Sequence, residues 1–146
     1  LQLRLLDQCY RYSRTHLGSA FSSLEIINEI YGSMKVNDRF ILSNGHAAAA
    51  LYVVFQKFRD KNSSTYFENM GDHPKRDTDL LIDCSTGSLG MGITAAAGMA
   101  LANREANVYC LVSDGECAEG SVWETLRFME KENLRNFHLY FNFNGC

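Results

Sequence analysis

The chain is poor in several features that would direct its reading at once. It has one proline, Pro74, and one tryptophan, Trp123. It has no basic excess: 14 Lys and Arg stand against 17 Asp and Glu, for a net charge of −3. Without a basic stripe to track phosphates, no nucleic-acid partner is expected. No apolar run approaches the ~20 residues of a membrane span, and no signal-peptide pattern opens the chain, so no membrane association is expected. The five cysteines, Cys9, Cys84, Cys110, Cys117 and Cys146, are odd in number and lack Cys-x-x-Cys spacing. That disfavours a zinc cage or a disulfide framework and makes a reducing, cytoplasmic setting the expectation. Internal repeats, linkers and low-complexity segments are also missing. What is present is the 46% hydrophobic and 21% charged composition of a globular protein. Residues 1–146 are long enough for one domain with a real core. The chain begins without Met, stops right after Gly145 and Cys146, and has a short connection at residues 32–38. These features leave room for missing parts of a larger protein.

Apolar periodicity predicts a helix over residues 1–12, with Leu3, Leu6 and Tyr10 at helical spacing. A polar loop holding His16 and Gly18 follows. Ser22 or Ser23 is the expected start of a second helix, with Leu24, Ile27 and Tyr31 on one side. Residues 39–42 read as a short strand. Ser43-Asn-Gly-His46-Ala47 then turns into an Ala-rich helix ending near Phe58. This places His46 at or near a helix N-terminus, where free N–H groups favour anions. A short helix over residues 63–70 precedes Gly71-Asp-His73-Pro74. Lys75-Arg76-Asp77 reads as a solvated loop. The glycine-rich segment Gly87-Ser-Leu-Gly90-Met-Gly92 leads into a small-residue helix over residues 93–102. Its Gly-x-x-Gly-x-Gly spacing differs from the dinucleotide fingerprint.

The last part of the chain is the most organised. A strand over residues 108–112 breaks into a Ser113-Asp-Gly turn, and a helix with Val122, Leu126 and Met129 on its apolar side follows. Ser121 and Glu124 have the spacing of a capping box for that helix. A second strand covers residues 137–141 and ends in a polar turn at Asn142-Phe-Asn144-Gly145. His138, inside this strand, is assigned to packing. A strand–helix–strand unit lays its strands parallel. Asp114 and Asn144 are thus expected at the carboxyl edge of one sheet, where open α/β sheets bind ligands. A carboxylate, an amide oxygen and nearby carbonyls are hard oxygen donors suited to Mg²⁺ or Ca²⁺. Gly115 would let the backbone approach a phosphate closely.

Asp114-Gly-Glu-Cys-Ala-Glu119-Gly-Ser-Val-Trp123-Glu, with Asn144-Gly145 about thirty residues on, resembles the thiamine-diphosphate motif of transketolases. Further segments resemble that family in order along the chain: the loop with His16, Gly18 and Ser22, the Ser43–Ala47 segment, the His73-Pro74 pair, and the glycine-rich segment from Thr86. The chain departs from the family pattern at Leu17 (usually Pro), Asp72 (inserted-looking), Met91 (commonly Gln) and Ser113 (usually Gly).

The resemblance implies an α/β fold, a mostly parallel sheet with helices on both faces, and thiamine diphosphate as cofactor. It implies that Asp114 and Asn144 hold Mg²⁺ or Ca²⁺ by their side chains and Cys146 by its carbonyl. Gly87, Ser88 and Leu89 would line the cofactor, with His46 and Gly115 near its diphosphate. His16, His46 and His73 would be donors or proton carriers facing substrate, and Glu119 would link active sites across a subunit interface. The implied activity is transfer of a two-carbon ketol unit between sugar phosphates. This chain would supply the diphosphate and metal half of the site, and a pyrimidine-binding domain or subunit the other half, so the working unit is expected to be a homo- or hetero-oligomer. Other readings stay open here. They are another thiamine-diphosphate enzyme, like deoxyxylulose-phosphate synthase or a 2-oxoacid dehydrogenase component, a non-catalytic scaffold, or a flavodoxin-like nucleotide binder.

Overall fold

A computed structural model describes residues 1–59 and 63–145. Its centre is a three-stranded parallel sheet in the order β1 (Arg39–Leu42), β2 (Val108–Ser113), β3 (Phe137–Asn142). Arg39 pairs with Val108 and Val108 with Phe137, so the three strands start level and end at a common edge. All six residues of β2 are buried, as the near-continuous apolar run of a central parallel strand requires.

Strand alternation assigns side chains to two cores. Phe40, Leu42, Tyr109 and Leu111 face one core. Ile41, Val108, Cys110 and Val112 face the other. On the first face lie α1 (Gln2–Arg11), α2 (Leu17–Ser33), α3 (Ala48–Phe58) and α4 (Ser63–Asn69). Helix α3 is apolar over its whole first two turns, and every residue from Ala48 to Phe55 is buried. Such a helix has no solvent face and sits between the sheet and the other helices. On the second face α5 (Met91–Ala102) and α6 (Gly120–Glu132) cover the strands. Ala96, Ala97 and Ala100 bring α5 close to the sheet. The expected parallel sheet with helices on both faces is observed. Among the described residues no helix is long and apolar enough to cross a membrane.

Two expected helix caps do not form. Helix α2 begins at Leu17, not at Ser22 or Ser23. His16 is its N-cap, in the left-handed region at φ 56°, and Leu17 takes the first helical position, where proline is also favoured. A Pro-to-Leu exchange there keeps the helix start, because no N–H partner is required at that position. The two serines lie inside the helix and bond to other segments. The capping box of α6 does not form either. Glu119, in extended conformation, is the N-cap, and the Ser121 hydroxyl is taken by the carbonyl of Gly90 at 3.0 Å. His138 stacks on Tyr109 with ring centroids 4.8 Å apart and bonds Asn107, the packing role expected of it.

Candidate functional site

Because the three strands are parallel and level, the turns that leave them share one edge. Residues 43–47 follow β1, residues 114–118 follow β2, and residues 143–145 follow β3. At this edge a cavity of about 140 Å³ is lined by Ser19, His46, Leu89, Ser113, Asp114, Gly115 and Asn144. Larger hollows of about 360 Å³ and 430 Å³ adjoin Arg39, the first residue of β1, at the opposite end of the sheet. They contain none of the candidate residues, so position at the strand ends marks the site better than volume does.

Asp114 follows the last residue of β2, and its carboxylate accepts from the Gly115 N–H at 3.0 Å. Asn144 donates from Nδ2 to the Ser22 hydroxyl at 3.1 Å. The same serine pair of α2 anchors its neighbours: Asn142 donates to Ser22 and Ser23, and Asn44 to Ser23. Asp114 and Asn144, a carboxylate and an amide, line one cavity that no Lys or Arg among the described residues lines. An anionic ligand there would need a cation, and this donor set suits a hard dication. Cys146, the third expected ligand, lies outside the described residues. Among the described residues no cluster of three or more His, Cys, Asp or Glu side chains could hold a metal.

The three expected histidines gather from separate segments. The ring centroids of His16 and His46 are 5.5 Å apart, and those of His16 and His73 are 6.3 Å apart. His46 lies in a single 3₁₀ turn, Gly45–Ala47, ahead of α3. It is half-buried, while His16 and His73 are exposed. Burial above all, then the neighbouring His16, holds the His46 pKa below the ordinary imidazole value; Glu116 opposes this, and His73 adds a smaller lowering. Asp72, inserted beside His73, has a definite task. It pairs with Arg14 at 3.6 Å and accepts from the Thr15 hydroxyl at 3.3 Å, so it ties the His73 turn to the segment carrying His16.

Leu89 lines the cavity, whereas Gly87 and Ser88 do not. A Cβ on Gly87 would come within 2.8 Å of the His73 ring, so this turn and the His73 turn are in direct contact. Glu119 is exposed, and its side chain packs against Gly90 and not into the cavity. Gly90 has φ 76°, a conformation that excludes most side chains, and it caps α5. Trp123 donates its indole N–H to the Cys117 carbonyl at 2.8 Å, bracing the turn after β2.

One residue was not singled out by the sequence. Glu116 is fully buried. Its Oε1 accepts from Ser43 Oγ at 2.6 Å and from the Gly90 N–H at 3.0 Å. Its Oε2 accepts from the Ser113 N–H at 2.9 Å and Ser113 Oγ at 3.3 Å. Nothing in spacing or periodicity distinguishes Glu116 from the exposed Glu119 three residues later. The Ser113 departure also becomes intelligible here: it needs no positive φ, and its hydroxyl gives Glu116 a donor that glycine would lack.

Comparison with known proteins identifies the family. Residues 3–146 match the family described as transketolase, thiamine diphosphate binding domain. Transketolase-like protein 2 of Mus musculus is 40% identical over 119 residues, which are 74% of this chain and 19% of that protein. One subunit of the apulose-4-phosphate transketolase of Phocaeicola vulgatus is 30% identical over 153 aligned residues, covering 91% of this chain and 54% of that protein. Among solved structures, the transketolase from Leishmania mexicana has a TM-score of 0.68 at 23% identity, over 81% of this chain and 22% of the other, and shares its fold. This chain spans about a fifth of the length of the transketolase-like relatives and just over half of the Phocaeicola protein. From the strand-end turns, the shared fold and the match over nearly its whole length, the chain belongs to the transketolase family, in the thiamine-diphosphate-binding domain of that family.

Proposed function

We propose that this chain forms the diphosphate- and metal-binding half of a transketolase site that moves a two-carbon ketol unit from a ketose phosphate to an aldose acceptor. The observation that carries the reading is the convergence of Asp114, Asn144, His46 and Leu89 on one cavity at the carboxyl edge of the sheet. Asp114 and Asn144 would hold Mg²⁺ or Ca²⁺ against the diphosphate, with the Cys146 carbonyl as a third donor. When bound, thiamine diphosphate supplies the carbon nucleophile, and the protein supplies placement and electrostatics. Gly115 leaves room for phosphate oxygens, and Leu89, Gly87 and Ser88 would pack beside the cofactor.

The histidines would serve the sugar. His46, held toward its neutral form, can accept a proton from a substrate hydroxyl or donate its ring N–H to it. The exposed His16 and His73 would contact more distal substrate oxygens. Among the described residues no carboxylate other than Asp114 lines the cavity. The group that polarises the pyrimidine end of the cofactor would therefore come from another domain or polypeptide, with Glu119 facing that partner. The Phocaeicola relative, named as one subunit of its transketolase, supports a split arrangement.

The test is calorimetry of thiamine diphosphate binding to the complete assembly. Binding is expected with Mg²⁺ or Ca²⁺ and to be nearly lost with chelator; equal affinity in both would remove the metal assignment. Asp114→Ala should raise Kd by roughly 100-fold and Asn144→Ala by roughly 10-fold, since an ionised oxygen binds a hard dication more strongly than a neutral one.

A further inference from the structure

Three of the turns around the site, residues 43–47, 86–90 and 113–116, come from separate parts of the chain, and one side chain joins them. We infer that Glu116 is a positioning residue whose carboxylate sets these three turns as a single unit and so preorganises the cofactor cradle, an inference that rests on the cofactor reading above.

The hydrogen-bond geometry supports this in detail. Each carboxylate oxygen receives one main-chain N–H, from Gly90 on one side and Ser113 on the other. Each also receives one hydroxyl, from Ser43 or Ser113. The hydroxyl of Ser43 itself accepts the Ile93 N–H at 3.2 Å, so its own hydrogen is free to point at Glu116. The four donors make a pocket for acceptors only, which a carboxylate fills and an amide cannot. Whichever way a glutamine turned, its NH₂ would face a main-chain N–H. Among the described residues Glu116 has no ion pair. A carboxylate taken wholly out of water without a cationic partner contributes little to stability for its cost. Its value lies in where it holds the chain: Ser113 immediately precedes Asp114, Ser43 precedes the His46 turn, and Gly90 follows Leu89. All three neighbours line the same cavity.

The experiment compares wild type, Glu116→Gln and Ser43→Ala by amide hydrogen exchange without cofactor, then by calorimetry with thiamine diphosphate and Mg²⁺ in the complete assembly. Faster exchange at Gly90 and Ser113 follows from direct loss of an acceptor. The informative amides are Gly45 and Ala47, which donate to main-chain carbonyls of their own turn. They should also exchange about 10-fold faster in Glu116→Gln, while β2 amides at Cys110 and Leu111 stay unchanged. Cofactor Kd should rise about 10-fold, with kcat at saturating cofactor within about threefold of wild type. Should Glu116→Gln fail to fold, Ser43→Ala removes one of the four donors to Glu116, together with the acceptor of the Ile93 N–H, and must still speed exchange at Gly90. Exchange confined to the turn that lost its bond, or an unchanged Kd, would overturn the inference. Coupled exchange in a wild-type protein that binds no thiamine diphosphate would instead overturn the cofactor reading and leave the coupling of the turns in place.

Discussion

His46 joins burial to chemistry within a single side chain. Its pKa is lowered by burial first and by His16 second, so the folded protein binds its proton less readily than the unfolded chain does. The sign follows directly. Above about pH 6.5, the ordinary imidazole value, both states are neutral at this position and the full stability is present. As pH falls from about 6.5 to the lowered folded value, the unfolded chain takes up a proton that the folded chain resists, and stability is lost. His46→Gln should therefore flatten the acid limb of the stability profile just below about pH 6.5, measured by urea unfolding at a series of pH values. An unchanged profile would mean that His46 is free to ionise where it sits. The departures at Ser113 and Asp72 likewise have local roles: Ser113 adds a donor to Glu116, and Asp72 binds Arg14 and Thr15.

At the scale of elements, α5 gives a contrast within one helix. Gly92 is buried, and a Cβ there would lie 2.5 Å from Ser43 Cα, a main-chain atom that cannot move aside. Gly98, further along the helix, is exposed, and a Cβ there would meet nothing within 4 Å. Gly92→Ala should destabilise the chain by about 1–3 kcal/mol through overpacking between α5 and the turn after β1. Gly98→Ala should stabilise it by about 0.5–1 kcal/mol, because alanine loses less backbone entropy in a helix. Denaturant unfolding of the two variants side by side measures both. Equal signs would show that the approach of α5 to Ser43 is looser than the packing indicates.

For the whole molecule, the consequence is division of labour. The described residues bring a carboxylate, an amide and three histidines to one edge, but the single carboxylate they place in the cavity lining, Asp114, is the one proposed to hold the metal. The isolated 146-residue chain is therefore expected to show no ketol transfer, whatever metal and cofactor are added. Supplying a pyrimidine-binding domain, in cis or in trans, should restore transfer from a ketose phosphate to an aldose phosphate and raise the mass in solution. Robust turnover by the chain alone would sink the split-site reading.

Strand positions, the parallel order of β2 and β3, and the placing of Asp114 and Asn144 at one edge were all legible in the sequence. These are local matters: short apolar runs, turn residues and the geometry of a strand–helix–strand crossover set them without reference to distant residues. The caps of α2 and α6 were not legible, because Ser22, Ser23 and Ser121 have the chemistry of caps yet find stronger use bonding segments that only folding brings near. Glu116 was hidden for the same reason. Its four donors come from Ser43, Gly90 and Ser113, up to 73 positions away, and the difference between a buried carboxylate joining three turns and the exposed Glu119 exists only once the chain has closed around it.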